Sequence, residues 1–231
     1  MSQWWSYSLS DFLMFSARTY FRQFELLNQA LWPLQLAALG AGILLAACML
    51  RPLRHASQTA FGVLALAWAW VAWAYHACRY ADVNTGAPYF AAAFGLQALL
   101  LAWMALRRPA SITAAATDPI DRRAPPALVG LALLAYPLLA PLNGRGLWQA
   151  EVFGIAPDPT VAATFAALLF WRAPWPVWIV PLLWSAVSGA TLKELHAPQA
   201  WLLPLVALVA LLASGLALWS ARRAARQAAR N

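Results

Sequence analysis

Apolar runs long enough to cross a bilayer recur along almost the whole chain, each closed by a short polar or charged segment. The first extends from about Ala30 to Leu50 and is entered through Trp32-Pro33, a proline being tolerated in a first helical turn. Arg51, Arg54 and His55 follow it. The second covers Phe61 to about Cys78, and the third Pro88 to Leu106, where Arg107-Arg108-Pro109 stops it. After a polar linker, 110–124, a fourth begins near Pro125-Pro126 and ends near Leu142. The last covers Trp201 to Trp219. No polar stretch between them is long enough to fold around a core of its own. The pattern predicts an all-α, polytopic transmembrane helix bundle.

Two options remain between Pro157 and Leu192. Pro157-Asp158-Pro159-Thr160 reads as a helix start, with Asp158 or Thr160 available as its cap. The apolar residues then continue only to Phe170, before Arg172 and Pro174, while a second run, Trp175 to Leu192, has ordinary length. The short piece either crosses or re-enters. Charge separates the two. If both pieces cross, Arg51, Arg54, Arg107, Arg108, Arg122, Arg123, Arg172 and the terminal Arg222, Arg223, Arg226 and Arg230 fall on one side. A re-entrant piece would send the terminal arginines to the other side, against the positive-inside rule. The expectation is about seven spans, with the amino terminus outside and the carboxy terminus cytoplasmic.

Ahead of the spans, residues 8–27 predict an amphipathic helix lying on the membrane. Asp11, Arg18, Arg22 and Glu25 share one narrow face, and Leu9, Leu13, Tyr20, Phe24 and Leu27 the opposite one. Ser8 or Ser10 is available to cap it, and Trp4, Trp5 and Tyr7 suit headgroup depth. The opening MSQWWSYSLSDF lacks the basic start and cleavage site of a signal peptide. The predicted organisation is an interfacial segment, 1–27, a helix bundle, 28–221, and a basic tail, 222–231.

Composition agrees. Of 231 residues, 63% are hydrophobic and 10% charged, too little charge to cover a water-soluble surface. The net charge of +8 does not point to nucleic acid, because the basic residues are scattered between apolar runs as flanks facing anionic headgroups. Cys48 and Cys78 fall near opposite faces, too far apart for a disulfide, and read as buried, unreactive thiols.

Polar groups inside spans are expensive and nominate a site. Asn28, Trp32 and Gln35 share a face of the first helix, and Trp68, Tyr75, His76 and Arg79 lie within an arc of about 100° on the second. Gln97 sits near the middle of the third, and Ser185, Ser188 and Gly189 mark the sixth. Each has a plainer reading. His76 is a satisfied structural ring, a substrate or proton site, or a metal or haem ligand, but it has no spaced partner of the HxxxH, CxxC or HExxH kind. Arg79 pairs with Asp82 or draws an anion; Asp158 caps a helix or coordinates a cation; Lys193-Glu194 is a snorkelling pair; Ser188-Gly189-Ala190 is a close helix crossing. No GxSxG, Walker loop or dinucleotide fingerprint occurs, so nothing nominates a catalytic nucleophile.

FELLNQALWPLQ (24–35), WAWVAWAYHACRYADVNTGAPYFAAAFGLQALLLAW (68–103), FGIAPDPTVAATFAALL (153–169) and VPLLWSAVSGA (180–190) together resemble an uncharacterised family of bacterial multi-pass inner-membrane proteins. The resemblance implies a shared architecture in a bacterial inner membrane and a polar pattern of Asn28, Trp32, Pro33, Gln35, His76, Asn84, Gln97, Pro157, Pro159 and Thr160. It implies no activity. The leading expectation is a small-solute or ion permease with a polar outer-half cavity. Its candidate substrate-binding residues are Asn28, Trp32, Gln35, Tyr75, His76, Arg79, Asn84, Gln97 and Asp158. The alternatives are a non-catalytic interaction subunit or sensor, and a redox or metal protein using His76. The bilayer is the expected partner, with a solute or ion, a membrane protein or a second copy beside it; no cofactor and no nucleic acid are expected.

Overall fold

The computed structural model describes residues 15–51, 53–107 and 119–228. The beginning of the expected surface helix, with Leu9, Asp11, Leu13 and a cap at Ser8 or Ser10, lies outside the described residues, as do Trp4, Trp5 and Tyr7.

Helix α1 (Ala17–Leu31) starts at Ser16, whose Oγ accepts the Thr19 N–H at 3.3 Å. Tyr20, Phe21, Phe24 and Leu27 recur at helical spacing and are buried with Gln23 and Asn28, so α1 lays one face on the bundle. Helix α2 (Leu34–Leu50) leaves α1 at 97°. Pro33 has no N–H with which to continue α1, and Trp32 before it is held at an extended ψ of 129°. This corrects the single span expected from Ala30: the residues up to Leu31 belong to α1, and the apolar helix begins at Leu34.

Helix α3 (Ala56–Trp70) widens into a π-helical stretch, Val71–Ala77, and ends in a 3-10 turn, Tyr80–Asp82. Within the widened stretch the adjacent rings of Tyr75 and His76 are both buried, while Trp73 and Ala77 face out. Helix α4 (Ala87–Leu106) packs along α3 and this stretch. Helices α5 (Pro119–Gly130) and α6 (Tyr136–Leu142) are joined by a second π-helical segment, Leu131–Ala135. Pro137 has no N–H for Leu133 and its ring crowds that carbonyl, which accounts for the wide turn before it.

Helix α7 (Pro157–Phe170) follows, then a 3-10 turn, Trp175–Trp178, and helices α8 (Ile179–Glu194) and α9 (Leu202–Ala228). Among the described residues, five segments are long and apolar enough to cross a membrane: Ala56–Asp82, Ala87–Leu106, Ala124–Leu142, Trp175–Glu194 and Leu202–Ser220. The bent α1–α2 pair makes a sixth if counted as one span. Leu66, Leu99, Leu106, Leu142 and Leu212 face outward, as lipid allows and water does not.

Helix α7 is the short piece. Its 14 residues rise about 21 Å, against a hydrocarbon core of about 30 Å. It is also the most enclosed helix, buried from Pro157 to Leu168 and surrounded by α3, α5, α8 and α9. Ala162, Ala163, Ala166 and Ala167 let those neighbours approach. Trp68 Nε1 donates to Thr164 Oγ1 at 2.8 Å, which in turn donates to the Thr160 carbonyl at 2.8 Å.

Both cysteines are free; Cys48 is buried, but Cys78 is exposed at the end of the π-helical stretch, which corrects the expectation of two buried thiols. Gly189 is a close crossing of α8 with the start of α9: a Cβ there would lie 2.5 Å from Pro204 Cγ and 3.3 Å from the Ala200 carbonyl oxygen. Gly189→Leu is expected to destabilise the protein by about 1–3 kcal/mol through overpacking. A thermal midpoint in detergent that matches the wild type would contradict this crossing.

Candidate functional site

Most of the polar residues nominated by the sequence turn out to hold backbone together. Asn28 Nδ2 donates to the carbonyls of Trp148 and Ala150, each at 2.8 Å, pinning α1 to the 3-10 turn Leu147–Gln149. Gln35 Nε2 reaches back across the bend to the Asn28 carbonyl at 2.8 Å and to Asn28 Oδ1 at 3.2 Å. Trp32 is 59% exposed and meets Trp148 edge to face. Gln97 is buried and donates to the Val177 carbonyl at 2.9 Å, tying α4 to the turn before α8. Asn84 closes its own turn by accepting the Gly86 N–H at 2.7 Å. Arg79 is half-buried at the end of α3 and forms no ion pair with Asp82; among the described residues the ion pair is Arg22–Glu25, at 2.8 Å. Asn28 and Gln35 meet at the α1–α2 bend, while Trp32, Arg79, Asn84 and Gln97 contact other segments.

The remaining three, Tyr75, His76 and Asp158, converge on another place. Asp158 was expected to cap α7, but the cap position is Ala156, which supplies no side-chain bond. The Asp158 carboxylate instead turns to α8: Oδ1 accepts from Trp184 Nε1 at 2.8 Å and Oδ2 from Ser188 Oγ at 2.6 Å. Thr160 steadies the helix start, donating to the Ala156 carbonyl at 2.7 Å and accepting the Gly154 N–H at 2.9 Å.

Trp184 links this carboxylate to an aromatic box. The His76 ring lies 4.4 Å from Phe94, 4.9 Å from Trp184 and 5.0 Å from Tyr75, centroid to centroid, and is 0% exposed. Tyr75 stacks on Phe24 at 5.2 Å and on Tyr80 at 5.4 Å, joining α1 to the box. Among the described residues, neither nitrogen of His76 has a hydrogen-bond partner. Among the described residues, no three His, Cys, Asp or Glu side chains gather to hold a metal.

Glu151, in the segment between α6 and α7, was not among the candidates from sequence. It is 2% exposed, and among the described residues neither carboxyl oxygen closes a hydrogen bond of standard geometry. Burial raises its carboxyl to about 8; the negative charge of Asp158 adds to the rise, and Arg145 and Gln199 oppose it. Gln199 Nε2 lies beside it, 7% exposed as a residue, without closing a bond of standard geometry. The Tyr136 hydroxyl is also buried and unpartnered. Arg145 lays its guanidinium 3.7 Å over the Phe21 ring and does not pair with Glu151. Gln149 then bonds Glu25 at 3.0 Å, carrying the polar chain to the exposed Arg22.

The result is a buried acid–aromatic centre built from α1, α3, α6, α7 and α8. It combines one carboxylate satisfied by two donors with one carboxyl that has only Gln199 Nε2 beside it. Sequence reasoning missed Glu151, Tyr136, Trp184 and Gln199. The usable signal was the isolation of Glu151 among Ala150, Val152 and Phe153, an acid with no basic neighbour in sequence. Comparisons with curated proteins and with solved structures give no match. The family model described as a family of unknown function (DUF6064) matches residues 17–228. Matched over nearly its whole length, the chain belongs to DUF6064.

Proposed function

We propose that this protein is a permease for a small cation, with the Glu151–Asp158 centre as its binding site. One observation carries the reading: two carboxyl groups, 2% and 1% exposed, are enclosed in an apolar bundle without an ion-pairing partner among the described residues. Such groups are costly to bury and mark ion pathways in membrane proteins. The short helix α7 adds support. Its carboxy-terminal end reaches the surface at the exposed Arg172, so Asp158, 14 residues away in rise at most, lies about 20 Å inside. Broken or short helices that begin inside a bundle are a recurring device for ion and solute sites. In this reading the carboxy terminus faces the cytoplasm of a bacterial cell, with the arginine-rich flanks on the inner side of its membrane as support.

Flux of alkali, ammonium and small organic cations into proteoliposomes tests this. The wild type is expected to carry at least one of them above empty vesicles. Glu151→Gln is expected to lower that flux at least about tenfold, the effect of ~1.4 kcal/mol. Absence of flux across the panel, or equal flux in wild type and variant, would remove the reading.

A further inference from the structure

Resting on the reading above, we propose that Glu151 is an exchange site at which a proton and a monovalent cation displace one another, while Asp158 keeps its two donors. The geometry divides the two carboxyl groups. Asp158 has a donor on each oxygen, Trp184 Nε1 and Ser188 Oγ, which is the pattern that stabilises an ionised carboxylate. Among the described residues Glu151 closes no hydrogen bond of standard geometry, has only Gln199 Nε2 beside it, and is equally buried. An ionised carboxylate in that position, beside a second negative charge, needs a positive charge on it. The groups around it do not provide one by contact. Asp158 on α7, Tyr20 on α1, Tyr75 on the α3 extension and Tyr136 on α6 feel its charge and bring no cation, and Arg145 is turned onto Phe21.

Glu151 therefore holds either its own proton or an added cation. Loading the cation breaks the carboxyl O–H bond, releases that proton to water and leaves the cation on the carboxylate oxygen; nothing is oxidised or reduced. Unpartnered polar groups stand ready around the site: the buried Tyr136 hydroxyl offers an oxygen and Gln199 Nε2 offers a donor to the free carboxylate. A monovalent ion fits better than a divalent one. One free carboxylate balances a single positive charge, whereas calcium sites pool several carboxylates; here Asp158 has both oxygens engaged and only Glu151 is free.

Infrared spectroscopy of the purified wild-type protein, labelled with carboxyl-13C glutamate, tests the inference without transport. A protonated-carboxyl band is expected at about pH 5, shifted by the label and lost by about pH 9. At intermediate pH, potassium or sodium is expected to bleach it with release of a proton to the medium, and calcium at equal ionic strength to leave it. Glu151→Gln should lack the labelled band. The inference fails if no glutamate band appears at low pH, if the band survives in Glu151→Gln, if alkali cations leave it intact, or if calcium removes it equally well. The labelled wild type alone decides the case should the variant not fold. Intact spectra without flux would strike the permease reading only, and flux without the band would strike the exchange only.

Discussion

Asp158→Ala is expected to lower stability by about 3–5 kcal/mol, the cost of leaving buried partners of a charge unpaired. The Asp158 carboxylate accepts from Trp184 Nε1 and Ser188 Oγ in a site 1% exposed. Alanine would strand both donors and open a space at the start of α7, the helix that four others surround. Trp184 also forms a wall of the His76 box, so its loss of anchorage should loosen α8 against α4. Asp158→Asn keeps one carbonyl oxygen and should lose less, about 1–3 kcal/mol. Thermal unfolding in detergent measures both. A wild-type midpoint in the alanine variant would mean that Asp158 does not organise this centre.

Stability should also fall as pH rises between about 4.5 and about 8, and Glu151→Gln should flatten that slope. The sign follows from where the proton stays. In the unfolded chain Glu151 titrates near 4.5, and in the fold burial raises it to about 8. Below the lower value both states hold the proton, and this group's contribution is fully present. Between the two, only the folded state keeps it, and stability drops by about 1.4 kcal/mol per pH unit. Above the higher value both states are ionised and the loss is complete, on the order of a few kcal/mol in all. Melting curves in a choline buffer free of alkali cations, with the wild type beside Glu151→Gln, make the comparison. Parallel slopes for the two proteins would show that another group carries the pH dependence.

The helix bundle was legible because lipid imposes a one-dimensional rule. Each crossing must satisfy its own backbone and show an apolar surface, so length and hydropathy along the chain suffice. The predicted limits of the third run, Pro88 to Leu106, fall within one residue of α4, and Tyr20, Phe24 and Leu27 do share one apolar face of α1, which the structure turns onto the bundle. Bends and wide turns were less legible. Trp32-Pro33 was read as the first turn of a span, although the residue before a proline is pushed out of helical geometry; the 97° turn follows from that preference.

The site shows the sharper division. From sequence alone, Asn28, Gln35 and Gln97 were conspicuous, since an amide inside an apolar helix needs a partner. Which partner it takes is a tertiary matter, and here backbone carbonyls on other segments supply it: Trp148 and Ala150 for Asn28, Val177 for Gln97. Glu151 had the opposite history. A lone acid between spans looks like a solvated flank until packing encloses it, and its desolvation depends on α1, α6 and α7 closing around it together. Sequence by itself determined that this chain is a set of helices, several of them apolar enough for lipid. Only the tertiary structure decided that Asp158 faces two donors and that Glu151 has only Gln199 beside it, because the charge state of a buried carboxyl is set by neighbours that are distant along the chain.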